Sequence, residues 1–97
     1  MKVKKNNTPE MKAIRNKIDA IDNKLLPLMV KRSRLVEKAL ALKENKSEVI
    51  DQQRISEITN KIYYKTKKLG GNAKLLSEIW LGIINNFIKY EKIKFKK

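Results

Sequence analysis

An all-α fold, three helices with one long and two shorter, is what the apolar residues of this chain predict. From Met11 to Leu42 they recur at alternating spacings of three and four: Met11, Ile14, Ile18, Ile21, Leu25, Leu28, Leu35, Ala39, Leu42. That period breaks at residues 44–50 and at Gly70-Gly71, which divides the rest of the chain into two further helical stretches. No stretch alternates apolar and polar residues as a half-buried strand does, and no repeat is found. Ninety-seven residues suit one domain, taken here as 1–97, with flexible tails expected at about 1–8 and 93–97.

The first helix opens at Thr8-Pro9-Glu10. Thr8 can cap, Pro9 suits the first helical position, and Glu10 complements the positive end of the helix dipole. Carried to residue 43, the helix would be about 50 Å long at ~1.5 Å per residue. A chain of this size cannot cover such a helix, so a second chain is expected along it. Pro27 lies inside the pattern and should kink it, because its ring removes one backbone hydrogen bond. Residues 44–50 read as a loop, and Asp51 is a cap for the second helix, whose apolar face is Ile55, Ile58, Ile62 and Leu69. Gly70 or Gly71 can supply a left-handed stop. The third helix starts near Ala73 and buries Leu76, Ile79, Trp80, Ile83, Ile84, Phe87 and Ile88 before entering the lysine-rich end.

The chain contains neither cysteine nor histidine. Disulfides, thiolate sites, His-based triads and the usual metal centres are therefore excluded. The formal charge is +14, with five lysines and no acid between residues 61 and 74 and further lysines at both ends. Lys2, Lys4 and Lys5 precede Asn6 and Asn7 instead of an apolar run, and nothing approaches the ~20 apolar residues of a membrane span. A cytoplasmic location is the expectation. The surplus charge suits a solvated surface, and a basic helical nucleic-acid-binding module is the more distant alternative. Such a module needs no charge inside an apolar seam.

Yet this seam holds one: Arg32 occupies the position between Leu28 and Leu35. A buried guanidinium requires an anion, so Arg32 either meets an acidic side chain, extends its stem to water, or binds a ligand. Lys43, three turns on, falls on nearly the same helix face about 16 Å away; its other reading is a surface lysine. Arg15 lies seventeen residues before Arg32, roughly 25 Å along the helix. The two can meet one small ligand only from different chains. On the third helix Glu91 follows Ile84 by seven and Phe87 by four, so an ionisable group continues an apolar stripe, unless the helix has already left the core. Tyr63, Tyr64 and Trp80 are spaced as packing residues, and Gly70-Gly71 lacks the pattern of a phosphate loop.

Together these residues resemble a family. Ile14-Arg15-Asn16-Lys17-Ile18-Asp19-Ala20-Ile21-Asp22, then Leu25-Leu26, Lys31-Arg32 and Lys43, are similar to the first helix of the AroQ-type chorismate mutases. Asp51 and Arg54 match its second-helix Asp-x-x-Arg, and Ile83-Ile84 its third-helix Ile-Ile pair, so the resemblance spans about residues 11–92. It implies an interlaced homodimer of three-helix chains with two sites. Arg15 would enter each site from the neighbouring subunit, and Arg32, Lys43 and Arg54 from the other chain. Arg15 and Arg32 would grip the two carboxylates of a small di-carboxylate, and Lys43 and Glu91 would flank its ether oxygen. The rearrangement of chorismate to prephenate, a step of the shikimate pathway in aromatic amino-acid biosynthesis, needs no nucleophile, metal or cofactor.

Three positions depart from the family pattern. Ile55 stands where Glu usually follows the second-helix Arg, Phe87 where a small Ser is frequent, and Glu91 where Gln is frequent. The first two resemble instead the isochorismate-pyruvate lyases of the same fold, which form salicylate. The expected site is thus Arg15, Arg32, Lys43, Asp51, Arg54, Ile55, Phe87 and Glu91, with mutase favoured over lyase.

Overall fold

The computed structural model describes residues 8–96 and contains three α-helices, α1 (Pro9–Ala41), α2 (Gln52–Lys68) and α3 (Ala73–Lys94), with a single 3-10 turn at Lys46–Val49. Among the described residues there is no strand, so the all-α expectation holds. The chain divides after Leu35 into two compact units.

The first unit is helix. Thr8 caps it as expected, its Oγ1 accepting from the Met11 amide at 3.2 Å and its carbonyl from Lys12 at 3.0 Å. The helix continues through Pro27. Its seam is the main feature: Ile14, Ile18, Ile21, Leu25 and Leu28 are each about half exposed or more. One helix offers nothing to cover a stripe of this kind.

The second unit begins with the last turns of α1. This helix ends at Ala41, two residues short of the expected end, and the chain leaves it through a tightened turn in which Leu42 donates to the Ala39 carbonyl and Lys43 to that of Leu40, both at 3.1 Å. The segment expected as a loop carries the 3-10 turn, which packs on α3 and buries Val49. Asp51 caps α2, its Oδ1 accepting from the Arg54 amide at 3.0 Å. Ile55, Ile58 and Ile62 are half-buried, whereas Leu69, expected on the same face, is 87% exposed.

The two glycines that end α2 do different jobs. Gly70 takes the left-handed conformation (φ +77°). Its amide donates to the Lys67 carbonyl and that of Gly71 to the Thr66 carbonyl, each at 3.0 Å, a Schellman closure. Gly71 has an ordinary φ but no room, since a Cβ there would lie 3.0 Å from Thr66 Cγ2. Asn72 then caps α3, its Oδ1 accepting from the Leu75 amide at 3.0 Å.

Helix α3 packs along α2. Its covered stripe runs Ala73, Ser77, Trp80, Ile84, Phe87 and Glu91, spaced four and three, with Ala73, Ile84 and Glu91 buried and the others half-buried. Of the other residues expected there, Leu76, Ile83 and Ile88 are half-buried and Ile79 is exposed. No side chain in the described residues is fully buried. Of the tails expected to be flexible, residues 1–7 and 97 lie outside the described residues, Thr8 is a cap, and Ile93 and Lys94 are helical.

Candidate functional site

Glu91 is the most unusual residue of the second unit, a carboxyl only 6% exposed on a stripe otherwise made of apolar and small side chains. Its position follows from the helical period: four residues after Phe87 and seven after Ile84, it faces where they face. A buried carboxylate without a partner would be very costly. The partner is Lys43, whose Nζ donates to Glu91 Oε1 at 3.1 Å from a side chain that is 22% exposed. The turn after α1 delivers Lys43, so this lysine stands on a turn and not on the helix that the sequence spacing assumed for it.

The loop following Lys43 is tied by Glu48, whose Oε2 accepts from the Glu44 amide at 3.2 Å and whose Oε1 accepts from Asn45 Nδ2 at 3.5 Å. The backbone carbonyl of Glu91 accepts from the Phe95 amide at 2.9 Å, closing the last turn of α3. A cationic donor and a carboxyl are thus set together in a largely enclosed place. The pair can offer hydrogen bonds to an oxygen that gains negative charge, the ammonium by donating and the carboxyl by donating when protonated.

The other expected residues are placed as follows. Asp51 spends Oδ1 on the α2 cap. Arg54 is exposed, its Nη1 lying 3.8 Å from Glu57 Oε2 one turn on, a surface pair of small energetic weight. Ile55 and Phe87 are half-buried. Arg15 is exposed and Arg32 half-buried, both on the part of α1 that belongs to the first unit. Tyr63 and Tyr64 are not core residues, as their spacing had suggested. They meet edge to face at 5.6 Å on the exposed side of α2, and Lys67 Nζ lies 5.4 Å from the Tyr63 ring centre. Trp80 is half-buried.

One contact was not anticipated. Tyr90 donates its phenolic O–H to Glu37 Oε1 at 2.7 Å, joining residues 53 apart in sequence. That hydrogen bond raises the phenol above its ordinary value of 10.0, and desolvation and the negative charge of Glu37 act in the same direction. Nothing in the spacing of either residue marks them as partners. Glu37 also lines a shallow groove of about 250 Å³ with Leu40, Ala41, Lys94, Phe95 and Lys96, which includes neither Lys43 nor Glu91. Among the described residues no helix is long and apolar enough to cross a membrane, and no cluster of three or more carboxylates could hold a metal ion.

The profile of the family described as chorismate mutase type II matches residues 14–92, from the residue before Arg15 to the residue after Glu91. No curated protein and no solved structure matches the chain. The match covers most of the sequence, and the chain belongs to the type II, all-helical chorismate mutase family. Chorismate-mutase-type chemistry is accordingly its activity class.

Proposed function

We propose that this protein rearranges chorismate to prephenate, acting as a dimer in which each site draws on both chains. The observation that supports this reading most is the Lys43–Glu91 pair, an enclosed cation and carboxyl joined at 3.1 Å across 48 residues and within the matched span. In the rearrangement the ether C–O bond breaks as a C–C bond forms within the same molecule, and negative charge grows on the ether oxygen. Lys43 donates to that oxygen. Glu91 flanks the same oxygen from α3. Arg15 and Arg32 grip the substrate carboxylates with their planar forks, and Asp51, Arg54, Ile55 and Phe87 complete the contacts to the substrate. Most of the acceleration then comes from holding the reactive conformer and stabilising its developing charge.

A partner chain along α1 is part of the proposal. The exposed seam from Ile14 to Leu28 supports it, as does the seventeen-residue, roughly 25 Å separation of Arg15 from Arg32 on one helix. The second reading, an isochorismate-pyruvate lyase, is favoured by apolar Ile55 after Arg54 and by Phe87 one turn before Glu91, both half-buried.

Incubation with chorismate and separately with isochorismate, with products identified, tests the reading. Prephenate is expected from chorismate; salicylate and pyruvate from isochorismate alone would replace mutase by lyase, and no product from either would end both. Mixing inactive Arg15→Ala and Arg32→Ala proteins under subunit exchange should restore part of the activity, because one hybrid site receives both arginines.

A further inference from the structure

We propose that Tyr90 is a positioning residue whose hydrogen bond to Glu37 fixes the end of α1 against α3 and so holds Glu91 at Lys43. The inference rests on the assignment of Lys43 and Glu91 to the site proposed above. Tyr90 and Glu91 are neighbours on α3, pointing about 100° apart around its axis. Glu37 and Lys43 lie six residues apart, on the last turns of α1 and the turn that follows. Two polar bridges, 2.7 Å and 3.1 Å long, therefore run from adjacent positions on α3, one to the last turns of α1 and one to the turn that follows it.

Each bridge restrains what the other leaves open. Lys43 is a long flexible side chain on a turn, so its reach to Glu91 tolerates some movement of the backbone beneath it. Tyr90 is a rigid ring with a single rotating hydroxyl, so a short hydrogen bond from it sets position more tightly. A slide of α3 by one residue, ~1.5 Å with a 100° turn, would separate both pairs. Lys94 on α3 also lies against Tyr90, its Nζ 5.9 Å from the ring centre. Glu37 faces the hydroxyl from α1. Ionisation of the phenol removes the donor and sets two negative charges against each other, which opens the bridge. Because Tyr90 titrates above 10.0 in the folded chain, the bridge is fully present below pH 10 and is lost as pH rises through the raised value.

The experiment compares wild type, Tyr90→Phe, Glu37→Ala and the double variant in two measurements. With chorismate, either single variant should lower kcat about tenfold with KM changed less than about twofold, and the double variant should be no worse than either single. The wild type should also lose activity at alkaline pH over a range that Tyr90→Phe does not share. Without substrate, NMR cross-peaks between the Lys43 Hε and Glu91 Hγ protons should weaken in every variant. Unchanged cross-peaks in the variants that fold would overturn the proposal, as would additive losses of kcat or weakened cross-peaks with kcat intact. An inactive wild type would defeat the proposed function instead, and the cross-peaks would still decide whether Tyr90 holds Glu91 in place.

Discussion

Up to Leu35, α1 leaves Ile14, Ile18, Ile21, Leu25 and Leu28 open to solvent, whereas beyond Val36 the stripe of α3 from Ala73 to Glu91 is covered by α2 and the 3-10 turn. Both stripes follow the helical period. The difference lies in what is available to cover each one. The second unit can fold back because a loop at 44–50 and the Gly70-Gly71 stop return the chain on itself, while the first unit has no such return. An apolar seam without an internal partner favours another chain, and a covered stripe that ends in a paired carboxyl favours chemistry.

This comparison can be broken at either end. The largest effect is expected from Ile18→Lys combined with Ile21→Lys on the seam. If a second chain covers them, four side chains per dimer are lost at about 1.5–3 kcal/mol each, or about 6 kcal/mol or more. Sedimentation should then give the monomer mass; an unchanged dimer would show that the seam is not the interface. Next is Lys43→Ala: if Lys43 stabilises the developing charge as proposed, its loss should cost about 3–4 kcal/mol, or roughly 10²–10³-fold in turnover. Steady-state rates on chorismate and isochorismate check it, with circular dichroism showing the helices intact. Near-full activity on both substrates would remove Lys43 from the site.

Ile84→Ala, within the covered stripe, should cost about 2–4 kcal/mol of unfolding free energy in a urea titration. The same change at exposed Ile14 on a monomeric variant should cost far less. Equal losses would mean that the two stripes are not different in kind. Smallest is Asn72→Ala, which removes the cap at the start of α3 and should cost about 1 kcal/mol.

The helices and their stops were legible because the information for them is local. A cap acts over three residues, as Thr8 and Asp51 do, and an apolar stripe repeats within seven. The double glycine marked the end of α2, although only backbone geometry separated the left-handed Gly70 from Gly71, which is glycine for lack of space. The end of α1 was misplaced by two residues because apolar Leu42 continues the period into a turn that the backbone has already tightened. Leu69 misled in the same way, continuing a stripe past the end of its helix into solvent.

Sequence alone singled out Arg15, Arg32, Lys43 and Glu91 as chemically informative, because charge in an apolar pattern is locally visible, and their order along the chain carried the family resemblance. Only the tertiary structure decided which of them touch. The Lys43–Glu91 pair spans 48 residues and the Glu37–Tyr90 pair 53, and both depend on how α3 returns past the end of α1. Neither distance is a multiple that helical spacing could reveal. A lysine among 24 basic residues and a glutamate near a helix end acquire meaning only when folding removes their water and leaves each to the other.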